Sequence, residues 1–191
     1  MGIFQLSGAG AEPLSVDEVK AHVRIDGSSE DALLQSLILT SRLHIEAALG
    51  LALIAQSWRL VLDQWPKDGP VKLPISPVRS VSEMRVLAAN GTPTVVDAGS
   101  YGLDTSQRPA RIMFFGTSRP EPERPFAGIE IDLMVGFGEK ANDVPEPVRQ
   151  ALLLLVAHWY EHRDPIEIGK PTTAVPHAVS RLLHPYRAVR L

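Results

Sequence analysis

The sequence predicts an α+β protein with a helical core and an inserted antiparallel β-region. Three observations point there: capped amphipathic segments at the start, short alternating apolar runs broken by proline in the middle, and a strongly apolar helical segment near the end. The chain has 191 residues, which suits one domain with extensions. It is 45% hydrophobic and 21% charged, so it carries ample material for a core.

The first helix is announced by Ser15 and Glu18, spaced as a capping box in which each side chain satisfies the other residue's backbone N–H. Val16, Val19 and Val23 give it an apolar face that ends at Gly27. Ser28 or Ser29 is the expected cap of a second helix, with Glu30 and Asp31 where the helix dipole favours acids. Leu33, Leu34, Leu37, Ile38, Ser41, Ile45, Ala48 and Leu49 follow helical spacing to a glycine cap at Gly50. The pair reads as a helical hairpin.

The middle third reads as β-structure. Trp58, Leu60 and Leu62 share one face of a strand over 58–63. Further strands are expected at Val71 to Leu73, Val81 to Ala88, Thr94 to Asp97, Arg111 to Phe115 and Ile129 to Val135, with a tight hairpin at Asn90-Gly91. The stretch from Arg119 to Pro125 is too rich in proline for a sheet interior and reads as a loop. Pro145 and Pro147 then mark a helix start, and Val148, Ala151, Leu152, Leu155 and Trp159 line one face of that helix. Leu153, Leu154 and Val156 make it apolar nearly all round, so deep burial or a shared interface is expected. It should stop near Arg163, because Pro165 disfavours helix at Asp164. The expected organisation is an N-terminal arm over 1–13, a domain over 14–163 (helices 15–50, β insertion 57–136, helix 146–163), and a linker, short helix and basic tail over 164–191.

Several classes of chemistry find no support. Lys and Arg total 19 and Asp and Glu 22, a formal charge of −3, so no global field draws the chain to nucleic acid or an anionic membrane. With no Cys there is no disulfide framework or thiolate metal site, which fits a reducing compartment. No apolar run approaches the ~20 residues of a membrane span. Met1 to Pro13 lacks the basic start and apolar stretch of a secretory signal, so a cytosolic product, or one assembled in the cytosol, is expected.

No phosphate loop, dinucleotide fingerprint or nucleophile elbow occurs, and Gly136-Phe137-Gly138 reads as a turn. Asp63, Asp97, Asp104 and Asp132 show no spacing that pairs them, and Asp132 alternates with apolar neighbours as a solvent-facing strand residue would. His158 and His162 share a helix face and could ligate a metal, but a third ligand at suitable spacing is missing. The plainer reading is a helix C-terminus whose His and Arg complement the dipole. No catalytic residue, cofactor or metal is therefore expected.

The C-terminus is more informative. After Glu167 there is no acidic residue, yet Lys170, Arg181, Arg187 and Arg190 are present beside an apolar stripe of Val179, Leu182, Leu183 and Tyr186. A short helix of this kind on a Gly/Pro/Thr linker is a candidate for docking into a partner's groove. Packing on its own domain, or contact with DNA, are the other readings.

The order of the motifs carries a resemblance. Glu12-Pro-Leu-Ser-Val-Asp-Glu-Val-Lys-Ala-His-Val-Arg-Ile-Asp26 resembles the opening of the head–tail connector proteins of long-tailed phages and gene transfer agents. Asp31, Leu34 and Ile38 fall on the family's next helix, and Gly50, Leu53, Gln56 and Trp58 on its following step. Val135-Gly-Phe-Gly138, Val144 to Leu153, and His158-Trp-Tyr-Glu-His-Arg163 complete the order. The resemblance spans about Glu12 to Arg163. It implies a non-enzymatic adaptor in a ring, commonly twelvefold, between the portal protein and a neck or tail-side protein, completing the channel through which packaged DNA passes. It also implies assembly in the bacterial host cytoplasm and residence in the particle's neck. The C-terminal segment would reach toward the portal, making Val179, Arg181, Leu182, Leu183, Tyr186, Arg187 and Arg190 the expected docking residues. Isolated subunits are compatible with a monomer, and no membrane partner is implied. The rival expectations are a DNA-binding packaging accessory and a small metal-dependent hydrolase using His158 and His162.

Overall fold

The computed structural model describes residues 1–67, 69–116, 119–162 and 176–187. The chain forms two compact units, one from residues 1–10 and 55–137 and the other from 11–54 and 138–191.

The first unit is β-structure. A five-stranded antiparallel sheet has the order β1 (Gly2–Ser7), β2 (Gln56–Leu62), β8 (Ile129–Val135), β4 (Val78–Leu87), β5 (Pro93–Val95). A second, three-stranded sheet has the order β3 (Val71–Lys72), β7 (Arg111–Phe114), β6 (Tyr101–Asp104). Alternation along β8 puts Ile129, Ile131, Leu133 and Val135 on the buried face beside Leu60, Leu62, Met84 and Val86. Each such side chain contributes about 1.5–3 kcal/mol by leaving water.

Two strands were not expected. Gly2–Ser7, read as an arm, is instead the edge strand β1, paired through Ile3↔Leu60 and Gln5↔Trp58. Only Ile3 in it is even half-buried, so the segment lacks the apolar alternation that marks a strand. Strand β6 carries a glycine and an aspartate, both poor strand formers, and is held by its pairing with β7. The Asn90-Gly91 turn joins β4 to β5 as expected, but only Gly91 takes a positive φ (86°), and Gly91 N–H donates to Ala88 O. The Pro-rich segment does lie outside the strands. It is pinned by Trp65 Nε1 donating to Pro120 O at 2.7 Å and by Glu123 N–H donating to Leu87 O at 3.1 Å.

The second unit is helical: α1 (Val16–Val23), α2 (Asp31–Leu49), α3 (Glu146–Glu161) and α4 (His177–Leu183). Ser15 and Glu18 form the capping box, with Glu18 N–H on Ser15 Oγ at 3.2 Å and Ser15 N–H on Glu18 Oε2 at 2.8 Å. Helix α1 ends earlier than expected, at a left-handed Arg24 (φ 58°). Helix α2 is preceded by Glu30 rather than a serine cap, since no side chain accepts from its first turn. Asp31 instead pairs with Lys20 of α1. Gly50 closes α2 in the left-handed conformation, as its sequence position implied. Gly138 admits no side chain, because a Cβ there would collide with the Asp143 carboxylate, which caps Lys140 N–H at 2.9 Å ahead of α3.

Helix α3 is the centre of this unit, packed by α1, α2 and α4. Val148, Ala151, Leu152, Leu155 and Val156 are fully buried, and every residue from Arg149 to Tyr160 is at least half-buried. That explains a helix apolar nearly all round. It ends at Glu161.

Candidate partner-docking site

The expected docking segment is α4 with the 3-10 turn His184–Tyr186. Val179 is 1% exposed and Leu183 7%, and α4 packs against α3. These two apolar residues are therefore occupied inside their own unit. Leu182 and Tyr186 are half-buried, Arg181 and Arg187 are exposed, and Arg190 lies outside the described residues, as does the linker from Ile168 to Val175. The outward side is basic: His177, Arg181, His184 and Arg187 follow helical spacing and line, with Ser180 and Pro185, an open groove of about 460 Å³. The exposed side of α4 and the turn after it thus carries two arginines, Arg181 and Arg187.

The other polar clusters are committed to structure. Asp132 is not solvent-facing, which corrects the sequence reading. It accepts a bidentate pair from Arg59 (Nε–Oδ1 2.6 Å, Nη2–Oδ2 2.9 Å) and a further bond from Arg85 at 3.0 Å. Glu130 pairs with Arg59 at 3.0 Å and with Arg85 at 3.3 Å, and Glu83 also pairs with Arg85. Burial pushes the Asp132 carboxyl up, but the hydrogen bonds and charge of Arg59, then those of Arg85, outweigh it and leave it below the ordinary value. Asp104 is lowered to about 2 by the Ser106 hydroxyl and backbone N–H, then by Arg111. Asp63 accepts from Ala127 N–H and Asp97 from Gly99 N–H, each holding a loop.

The imidazoles of His158 and His162 are 4.6 Å apart, and His162 Nδ1 lies 2.9 Å from His158 O, closing the helix end. Trp159 stacks edge-on with His44 at 5.7 Å, and Tyr160 pairs with Glu30. Among the described residues no three His, Cys, Asp or Glu side chains gather as a metal site would require, and no helix is long and apolar enough to cross a membrane.

A family model described as the phage gp6-like head–tail connector protein matches residues 13–90. Over the whole chain, similarity extends to a solved protein from the neck of an empty gene transfer agent particle, reconstructed with C6 symmetry. Identity is 31%, the TM-score is 0.86, and the match covers 100% of this chain and 97% of that one. The chain belongs to the head–tail connector family. A chain in the virion of a native gene transfer agent particle matches at 31% identity and TM-score 0.84, and one in the native neck, with C12 symmetry, at 30% and 0.83. Each covers 100% of this connector and 97% of the other chain. No curated protein sequence matches. The connector's role is that of a structural head–tail adaptor.

Proposed function

We propose that this connector sits in the neck of a phage or phage-like particle as one subunit of a ring. The ring joins the portal to a tail-side protein, completes the DNA channel and performs no catalysis. The observation that carries the reading is similarity across both units, at 31% identity and 97% of the other chain's length, to a neck protein. Subunits are made in the host cytoplasm and enter the ring during assembly. Helix α4 and the segment after it bind the portal, with Arg181 and Arg187 outward to meet acidic groups while Val179 and Leu183 hold the helix in place.

Capture on immobilised portal protein tests this. Full-length chain should bind, and deletion of Lys170 to Leu191 should abolish binding. Undiminished capture of the truncated chain would refute the docking role of the tail. Binding to DNA that collapses between low and moderate salt would instead favour a packaging accessory.

A further inference from the structure

Helix α2 buries its charges beside its apolar core face. It carries three residues with a formal charge, and none is free in solvent. Asp31 opens the helix paired with Lys20, while Arg42 and Glu46 are buried at 5% and 9% exposure. Arg42 binds Glu46 at 2.9 Å and takes both carboxylate oxygens of Glu12, at 2.7 and 3.0 Å. Glu46 also accepts from Leu53 N–H at 2.7 Å. The solvent side carries no charge, although Gln35, Ser36, Thr40 and His44 are exposed on it beside its leucines. Ala32, Ser36, Leu39, Leu43 and Ala47 recur at steps of three and four, all exposed, with Leu39 at 42% and Leu43 at 50%. The stripe runs about 20 Å without a charge. A surface helix of a monomer ordinarily carries charge on its solvent side, and depletion of charge with retention of leucine is the composition of an interface centre.

We infer that this face of α2 is the lateral contact between neighbouring copies of this chain in the ring, an inference that rests on the ring reading above. A second copy is the occupant for two reasons. Contacts between like subunits of a permanent ring are more apolar than ordinary surface, whereas docking between separately folded partners is about as polar as the surface at large. In a closed ring every copy also has another copy on each side, so both of its complementary faces are permanently covered. DNA is a poor occupant, because the stripe offers no cation to a phosphate.

The chain has no cysteine, so one introduced thiol is a unique handle. Ala47→Cys, carrying a maleimide-linked benzophenone and assembled into particles, should on irradiation yield a species of twice the chain mass containing only this protein. A crosslink to a different protein, or no crosslink in particles that contain the chain, overturns the inference and leaves the adaptor reading standing. Separately, Leu39→Glu with Leu43→Glu should keep the circular dichroism and melting temperature of the native chain, since both positions are exposed. Its incorporation into necks should fall at least about tenfold, and Leu39→Met with Leu43→Met should restore it. Native incorporation of the glutamate variant would also overturn the inference. Absence of the wild-type chain from necks would instead refute the ring reading itself.

Discussion

Asp132 shows how one side chain can bind three strands. Its register partners are Arg59 on β2 and Glu83 on β4, and Arg85 reaches it from the next position but one. Cross-strand charge pairs of this kind fix register as well as adding energy. Asp132→Asn should cost on the order of 2 kcal/mol in chemical denaturation, because two guanidiniums lose their shared carboxylate. The pH sign follows from the depressed folded pKa. The contribution is fully present above the unfolded value near 3.8 and is lost as pH falls through the lower folded value. Stability measured down an acid series should therefore fall less steeply in Asp132→Asn than in the native chain; parallel curves would contradict this role. Arg42 is the helical counterpart. Arg42→Ala takes the guanidinium away from the buried Glu46 carboxylate, which keeps Leu53 N–H, and should cost about 3–5 kcal/mol, read as a lowered urea midpoint. Loss of under 1 kcal/mol would mean that water reaches Glu46.

At the level of elements, α4 has an inward apolar side and an outward basic one. Val179→Asp puts a charge into a site 1% exposed and should destabilise the chain by about 2 kcal/mol or more. Arg181→Ala with Arg187→Ala should leave stability within about 0.5 kcal/mol. Thermal melts of the two variants distinguish a helix that packs inward from one held only by a partner. The helices and the long strands were legible because each buries a continuous apolar set: Leu34, Ile38 and Ile45 in α2, and Ile129 to Val135 in β8. What escaped was fixed by distant partners. β1 has little inward apolar content of its own and depends on β2, some 50 residues later. Asp132 alternates like a solvent residue, and its arginines come from strands remote in sequence. Helical spacing placed Ser41 and Ile45 inward correctly, but it could not show that Arg42 and Glu46 would follow them, because Glu12 arrives from the irregular segment ahead of α1. The C-terminal segment was half legible. The basic residues were visible in the composition after Glu167, whereas the inward use of Val179 and Leu183 depended on the packing of α3.

For the whole molecule, the division of labour follows from which surfaces are finished. The helical unit spends its buried charges on holding Glu12, Arg42 and Glu46 together and leaves an uncharged helix face outward. The β unit ties the other face of its large sheet together with a largely buried network of arginines and carboxylates. A chain of net charge −3 with a basic, acid-free end suits protein contacts at specific places better than general attraction to DNA. The central claim is that this protein joins head to tail, and loss of the gene tests it most directly. Particles made without the chain, counted by negative-stain microscopy, should be heads and tails that remain separate, with joined particles restored when the wild-type chain is supplied. Joined, tailed particles at the native frequency in its absence would contradict the account.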